Sequence, residues 1–99
     1  MKLTEEQLAN LEELGKLQFD APEAAVVLGL DAADLLARLR LPQSPASLRW
    51  LRGQMLAEAE IRKSIFTLAR QGSTPAQKQF LELVEDRRKR EKARAIRER

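Results

Sequence analysis

The 99-residue sequence contains no cysteine and no histidine, and its only aromatic residues are Phe19, Trp50, Phe66 and Phe80. Without cysteine there is no disulfide and no thiolate metal site. Without histidine, the commonest general base and the commonest metal ligand are missing, so no serine or threonine has an imidazole to activate it. The four glycines, Gly15, Gly29, Gly53 and Gly72, are scattered, which leaves no glycine-rich loop to cradle a phosphate. Asp31 and Asp34 could in principle hold a divalent metal, but helix capping accounts for both with less. The other carboxylates fall on exposed helix faces and at caps. The expectation is a protein that is not an enzyme, with no catalytic residue, metal site or cofactor. No apolar run approaches the ~20 residues of a membrane span and no signal peptide is visible at the N-terminus, so no membrane partner and a cytoplasmic location are expected.

What the chain has is helix-forming residues and unevenly placed charge. Apolar residues make up 43% and charged residues 33%, a balance that favours solvent-laced helices over a compact globule. So few aromatics in one small domain suggest that the chain needs copies of itself, or a partner, to bury enough surface. The net charge is +3. From Met1 to Leu41, eight acidic residues meet four basic ones, a net −4, whereas Arg87 to Arg99 carries eight basic and two acidic residues, a net +6. A basic end suits a nucleic-acid or acidic partner, or is a solvated helix end.

The stretch Asp20 to Pro42, DAPEAAVVLGLDAADLLARLRLP, organises the rest. Asp20 and Glu23 have capping-box spacing, and Asp31 and Asp34 repeat it. Gly29 permits a left-handed corner between two short helices, and Pro42 blocks continuation of the second. Small Ala25 four residues before Gly29, flanked by Leu28 and Leu30, is the packing pattern of a helix-turn-helix, and also of an ordinary helical corner. A helix over Thr4 to Leu17 precedes it, capped by Thr4 and Gln7, with Leu8, Leu11 and Leu14 or Gly15 inward, Glu5, Glu6, Glu12 and Glu13 toward water, and Phe19 wedged against the next two helices.

The prediction is all-α: a three-helix unit over 1–41, a stiff linker over 42–46 containing Pro42 and Pro45, a long antiparallel helical hairpin over 47–86 and a basic tail over 87–99. Ser44 caps the fourth helix with Pro45 in its first turn, and Gly72 ends it. Thr74 caps the fifth, and Pro75 starts it. The tail continues that helix or frays.

At 100° per residue the fourth helix carries two apolar stripes. Leu48, Leu51, Met55, Ala59, Phe66 and Ala69 form one. Trp50, Ala57, Ile61, Ile65 and Leu68 lie roughly opposite. A helix with two stripes needs two partners. The fifth helix is one. The other is a neighbouring copy meeting Trp50, Ala57, Ile61, Ile65 and Leu68, or the three-helix unit folded back.

EAAVVLGLD in the first unit and AEIRKSIFTLARQGSTPAQKQFLELVE in the hairpin resemble the small subunit of bacteriophage terminase, the DNA-recognition component of a genome-packaging motor. The resemblance implies a homo-oligomeric ring built on the hairpin and bearing helix-turn-helix units at its rim. It also implies double-stranded DNA and the large terminase ATPase/nuclease as partners, and the host cytoplasm as location. DNA-binding candidates are Lys16, Arg38 and Arg40, with Arg87, Arg88, Lys89 and Arg90 of the tail. The acidic start of the would-be reading helix departs from the family pattern, since Asp31 facing a phosphate is repelled. Many copies compensate, other basic surfaces such as Arg49, Arg52 and the tail bind, or the unit does not read DNA. A dimeric helix-turn-helix transcription regulator and a structural adaptor without DNA binding are the alternative readings.

Overall fold

Asp20, Thr4 and Asp31 start helices where their spacing predicts. The computed structural model describes residues 2–98, and within them it is all-helical: α1 (Glu5–Lys16), α2 (Ala21–Leu28), α3 (Ala32–Leu39), α4 (Pro45–Arg70) and α5 (Thr74–Arg97). Contacts divide the chain into two units, one ending at Ala59 and one beginning at Glu60, with α4 running through the division.

In the first unit, Gln7 N–H donates to Thr4 Oγ1 at 3.1 Å, and Thr4 N–H donates to Gln7 Oε1 at 2.9 Å, a reciprocal cap on α1. Asp20 and Glu23 do the same for α2 at 2.9 and 3.0 Å. For α3 only half of the cap forms: Asp34 N–H donates to Asp31 Oδ1 at 3.0 Å. Gly29 closes α2 at φ +70°, with its own N–H on Val26 O and the Leu30 N–H on Ala25 O. This is a Schellman closure, which satisfies two otherwise orphaned carbonyls.

Leu3, Leu11, Leu14, Ala24, Ala25, Leu35 and Ala46 form the buried core, and Leu8, Leu28, Leu30, Leu39 and Trp50 pack against it. Ala46 and Trp50 belong to α4, so the first turns of that helix are part of this unit. Ser44 makes the join. Its hydroxyl donates to Arg38 O at 2.8 Å and accepts from Ser47 N–H at 3.1 Å, tying the end of α3 to the start of α4. The linker expected over 42–46 is therefore a hydrogen-bonded turn that runs into a helix beginning at Pro45.

The glycines Gly15 and Gly53 mark where α1 and α4 cross. A Cβ on Gly15 would stand 2.8 Å from Trp50 O, and one on Gly53 would overlap the Glu12 carbonyl. The two backbones touch there because neither residue has a side chain. Glu12 does not face water as expected. It is half-buried at this crossing, between Arg49 and Arg52 of α4. Phe19 is no wedge either: it is 37% exposed, and the leucine and alanine side chains fill the core without it.

In the second unit, Gly72 ends α4 at φ +97°, with its N–H on Ala69 O and the Ser73 N–H on Leu68 O. Ser73 caps α5, accepting from Ala76 N–H at 3.3 Å, so the cap is one residue earlier than the expected Thr74, which is already helical. The Phe66 and Phe80 rings meet at 5.5 Å, tilted by 42°, and the Arg70 guanidinium lies 5.7 Å from the Phe66 centroid. Gln77 Nε2 donates to Ala69 O at 3.1 Å. The basic tail is helical as far as Arg97.

Candidate nucleic-acid interface

The sequence offers three basic surfaces, and the structure treats each differently. On α3, Asp31 uses its carboxylate as a cap, and the exposed residues that follow are Ala32, Ala33, Asp34, Leu36 and Ala37. Positive charge arrives only at the far end. Arg38 is half-buried there and Arg40 is exposed. Arg38 lines a shallow recess with Lys2, Leu3, Leu8 and Ala46, beside the start of α1. Lys16 is the last residue of that helix. Eight residues separate it from Leu8, about 12 Å along the axis. Lys16 and Arg38 therefore sit at opposite ends of α1 and do not form one patch.

The second surface, Arg49 and Arg52, is already occupied. Arg49 Nη1 donates to Glu5 Oε1 at 2.8 Å, Arg49 Nε to Glu12 Oε1 at 3.1 Å and Arg52 Nη1 to Glu12 Oε1 at 2.9 Å. The hydrogen bond from Arg52 lowers the Glu12 pKa, with the charges of Arg52 and Arg49 adding to it against partial desolvation. The hydrogen bond to Glu5 raises the pKa of Arg49. These arginines neutralise the acidic face of α1 and have little charge left for a polyanion.

The third surface is open. Every described residue of α5 from Glu85 onward is exposed, including Arg87, Arg88, Lys89 and Arg90. Arg87 Nη1 reaches Glu91 Oε1 at 3.5 Å, one helical turn away. Because the helix persists, Arg94 and Arg97 are held in the same regular array. The sequence left them in a tail of undecided conformation, and the visible signal was their spacing.

The five residues expected to mediate self-association also divide. Trp50 packs on the core of its own unit and Ala57 is half-buried. Over these turns the second stripe is covered by the chain itself, the alternative that the sequence held open. Beyond the division, Ile65 is half-buried, while Ile61 is 62% and Leu68 50% exposed. Leu48, Leu51 and Met55 of the first stripe are also about half exposed. Among the described residues no group of three or more acidic side chains gathers as a metal ion would require, and no helix is long and apolar enough to cross a membrane. No family model matches the chain, and no curated protein or solved structure was found to match it.

Proposed function

We propose that this chain is a non-catalytic, self-associating helix-turn-helix protein that binds double-stranded DNA, in the manner of the small terminase subunit it resembles. In that role a ring of copies holds viral DNA and delivers it to a large ATPase/nuclease subunit for packaging. The α2–α3 corner supplies the helix-turn-helix, and the α4–α5 hairpin is the assembly element.

The observation that carries the reading is the state of the second unit. Among its described residues only Ala76 is buried, while Ile61, Leu68 and Leu81 are each at least half exposed. Two helices that fully bury one alanine and only half-bury Ile65, Phe80, Leu83 and Val84 do not offset the entropy of ordering some forty residues. A second copy laid against Ile61 and Leu68 supplies the missing burial, and repetition of that contact closes a ring. Many copies also multiply weak DNA contacts, so an acidic first unit is tolerable.

Native mass spectrometry at moderate salt tests this, together with binding of a fluorescent duplex. A single closed species larger than a tetramer that binds duplex supports the packaging role. A dimer on an inverted repeat replaces it with a transcription regulator. One observation favours a different second reading: the exposed part of α3 is alanine, leucine and aspartate. That composition suits a protein surface better than phosphate, as in a structural adaptor, and absence of any duplex binding by the full chain would select it.

A further inference from the structure

The C-terminal half of α5 has an order within its charge that becomes visible once the segment is known to be helical. At 100° per residue, Arg87, Arg90, Arg94 and Arg97 fall within about 80° of one another. They form a row about 15 Å long on one face. Of the five arginines between Arg87 and Arg97, only Arg88 is off this row, and the two lysines, Lys89 and Lys92, are off it as well. Glu91 and Glu98 flank the row on one side, and Glu91 meets Arg87 at 3.5 Å. Among the described residues, Arg90, Arg94 and Arg97 have no acidic group within ion-pair distance. Every residue of the segment described is exposed.

We infer that this arginine row is the DNA-contacting element of the chain and seats in the major groove of a duplex. The inference rests on the DNA-binding part of the proposed function and assigns it to α5 rather than α3. An α-helix fits the major groove, which is about 12 Å wide. A helix seated there has base edges in front and phosphates on both sides. Arginine's planar fork matches guanine O6 and N7 or a phosphate through two hydrogen bonds, which lysine does not. Arg88 and Lys89 lie about 120–140° from the centre of the row and Lys92 lies opposite it, so they point away from a duplex that the row enters. A membrane surface is a poorer fit, because binding there needs an apolar face and this segment has only Ile96 and two alanines between its charges. The first unit offers less: Arg49 and Arg52 are bound to Glu5 and Glu12, and α3 opens with aspartates, with Arg38 and exposed Arg40 only at its far end.

Duplex binding by fluorescence anisotropy, over a salt series with the full-length chain, tests the assignment. The row variant is Arg90→Gln with Arg94→Gln and Arg97→Gln. The control is Arg88→Gln with Lys89→Gln and Lys92→Gln, which removes the same charge. Glutamine is a good helix former, and far-ultraviolet circular dichroism checks that the helix remains. The row variant is expected to bind at least tenfold more weakly than the control. Changing the same three arginines to lysine keeps both helix and charge, and is expected to lose severalfold in affinity with the slope of log affinity against log salt unchanged. Equal losses in the row and control variants overturn the row and leave a diffusely charged tail. Unchanged affinity of the lysine variant overturns its base-facing seat. Loss only on Arg38→Ala with Arg40→Ala moves the contact to α3 and leaves the function intact. Failure of the unmodified chain to bind any duplex overturns both.

Discussion

Gly53 looks like a helix defect, since glycine inside a helix is about 1 kcal/mol worse than alanine. Its cost is repaid by proximity, because a Cβ there would run into the Glu12 carbonyl, and backbone cannot rotate away as a side chain can. Gly53→Ala is therefore expected to destabilise the protein by about 3 kcal/mol despite its better propensity. A fall in thermal midpoint at fixed protein concentration would report it, and a rise would mean that α1 and α4 separate without penalty. Glu12, on the same crossing, gives a pH signature. Its pKa is lower in the folded chain than in the unfolded one, so its stabilising effect is complete above the ordinary carboxylate pKa of about 4.3 and is lost as pH falls through the folded value. The urea midpoint should drop on acidification through that range, and Glu12→Gln should show a smaller drop. Equal drops in the two proteins would take Glu12 out of the acid response. Neither effect was legible in the sequence. Glu12 read as a solvated residue because its partners lie on a helix more than thirty positions away.

Helix ends were far more legible. The partners of a cap lie within four residues, so Thr4 with Gln7, Asp20 with Glu23, Asp31, Ser44, Gly29 and Gly72 could be read from spacing alone, and they act where they were placed. Ser73 and Thr74 are adjacent hydroxyl residues before Pro75, and only backbone geometry distinguishes them. Ser73 is extended at φ −67° and ψ 113° and takes the cap. Gln18 was not legible at all. It closes α1 in the left-handed region at φ +66°, with Gln18 N–H on Gly15 O and Phe19 N–H on Leu14 O, a position that glycine usually fills. Gln18→Gly should relieve the strain and stabilise the chain by about 0.5–1 kcal/mol, seen as a higher thermal midpoint. A lower midpoint would show that the side-chain bond from Gln18 Nε2 to Gly15 O, 3.3 Å long, outweighs it.

At the scale of the whole molecule the unbalanced quantity is apolar burial. Ile61→Glu with Leu68→Glu removes the two most exposed large apolar residues of α4 beyond Ala59, leaves Phe66 in place and touches no buried residue. The expected result is a shift of native mass toward the monomer, with loss of α4–α5 helicity at low protein concentration. An unchanged mass would place the contact elsewhere, with Leu48, Leu51 and Met55 next in line.

The sequence by itself determined the helices, their caps, the left-handed corner at Gly29 and the segregation of charge, because each depends on neighbours within a turn or two of chain. Periodicity also revealed that α4 has more apolar surface than one neighbour can cover. Only the tertiary structure decided which neighbour covers which part. It put Trp50 against the chain's own core, since the Ser44 turn and the close backbone approaches of Gly15 to Trp50 and of Gly53 to Glu12 bring the start of α4 onto α1. It also bound Arg49 and Arg52 to glutamates and kept α5 helical through its arginines. Those outcomes depend on close approach between distant segments, and residue spacing along the chain carries no measure of that distance.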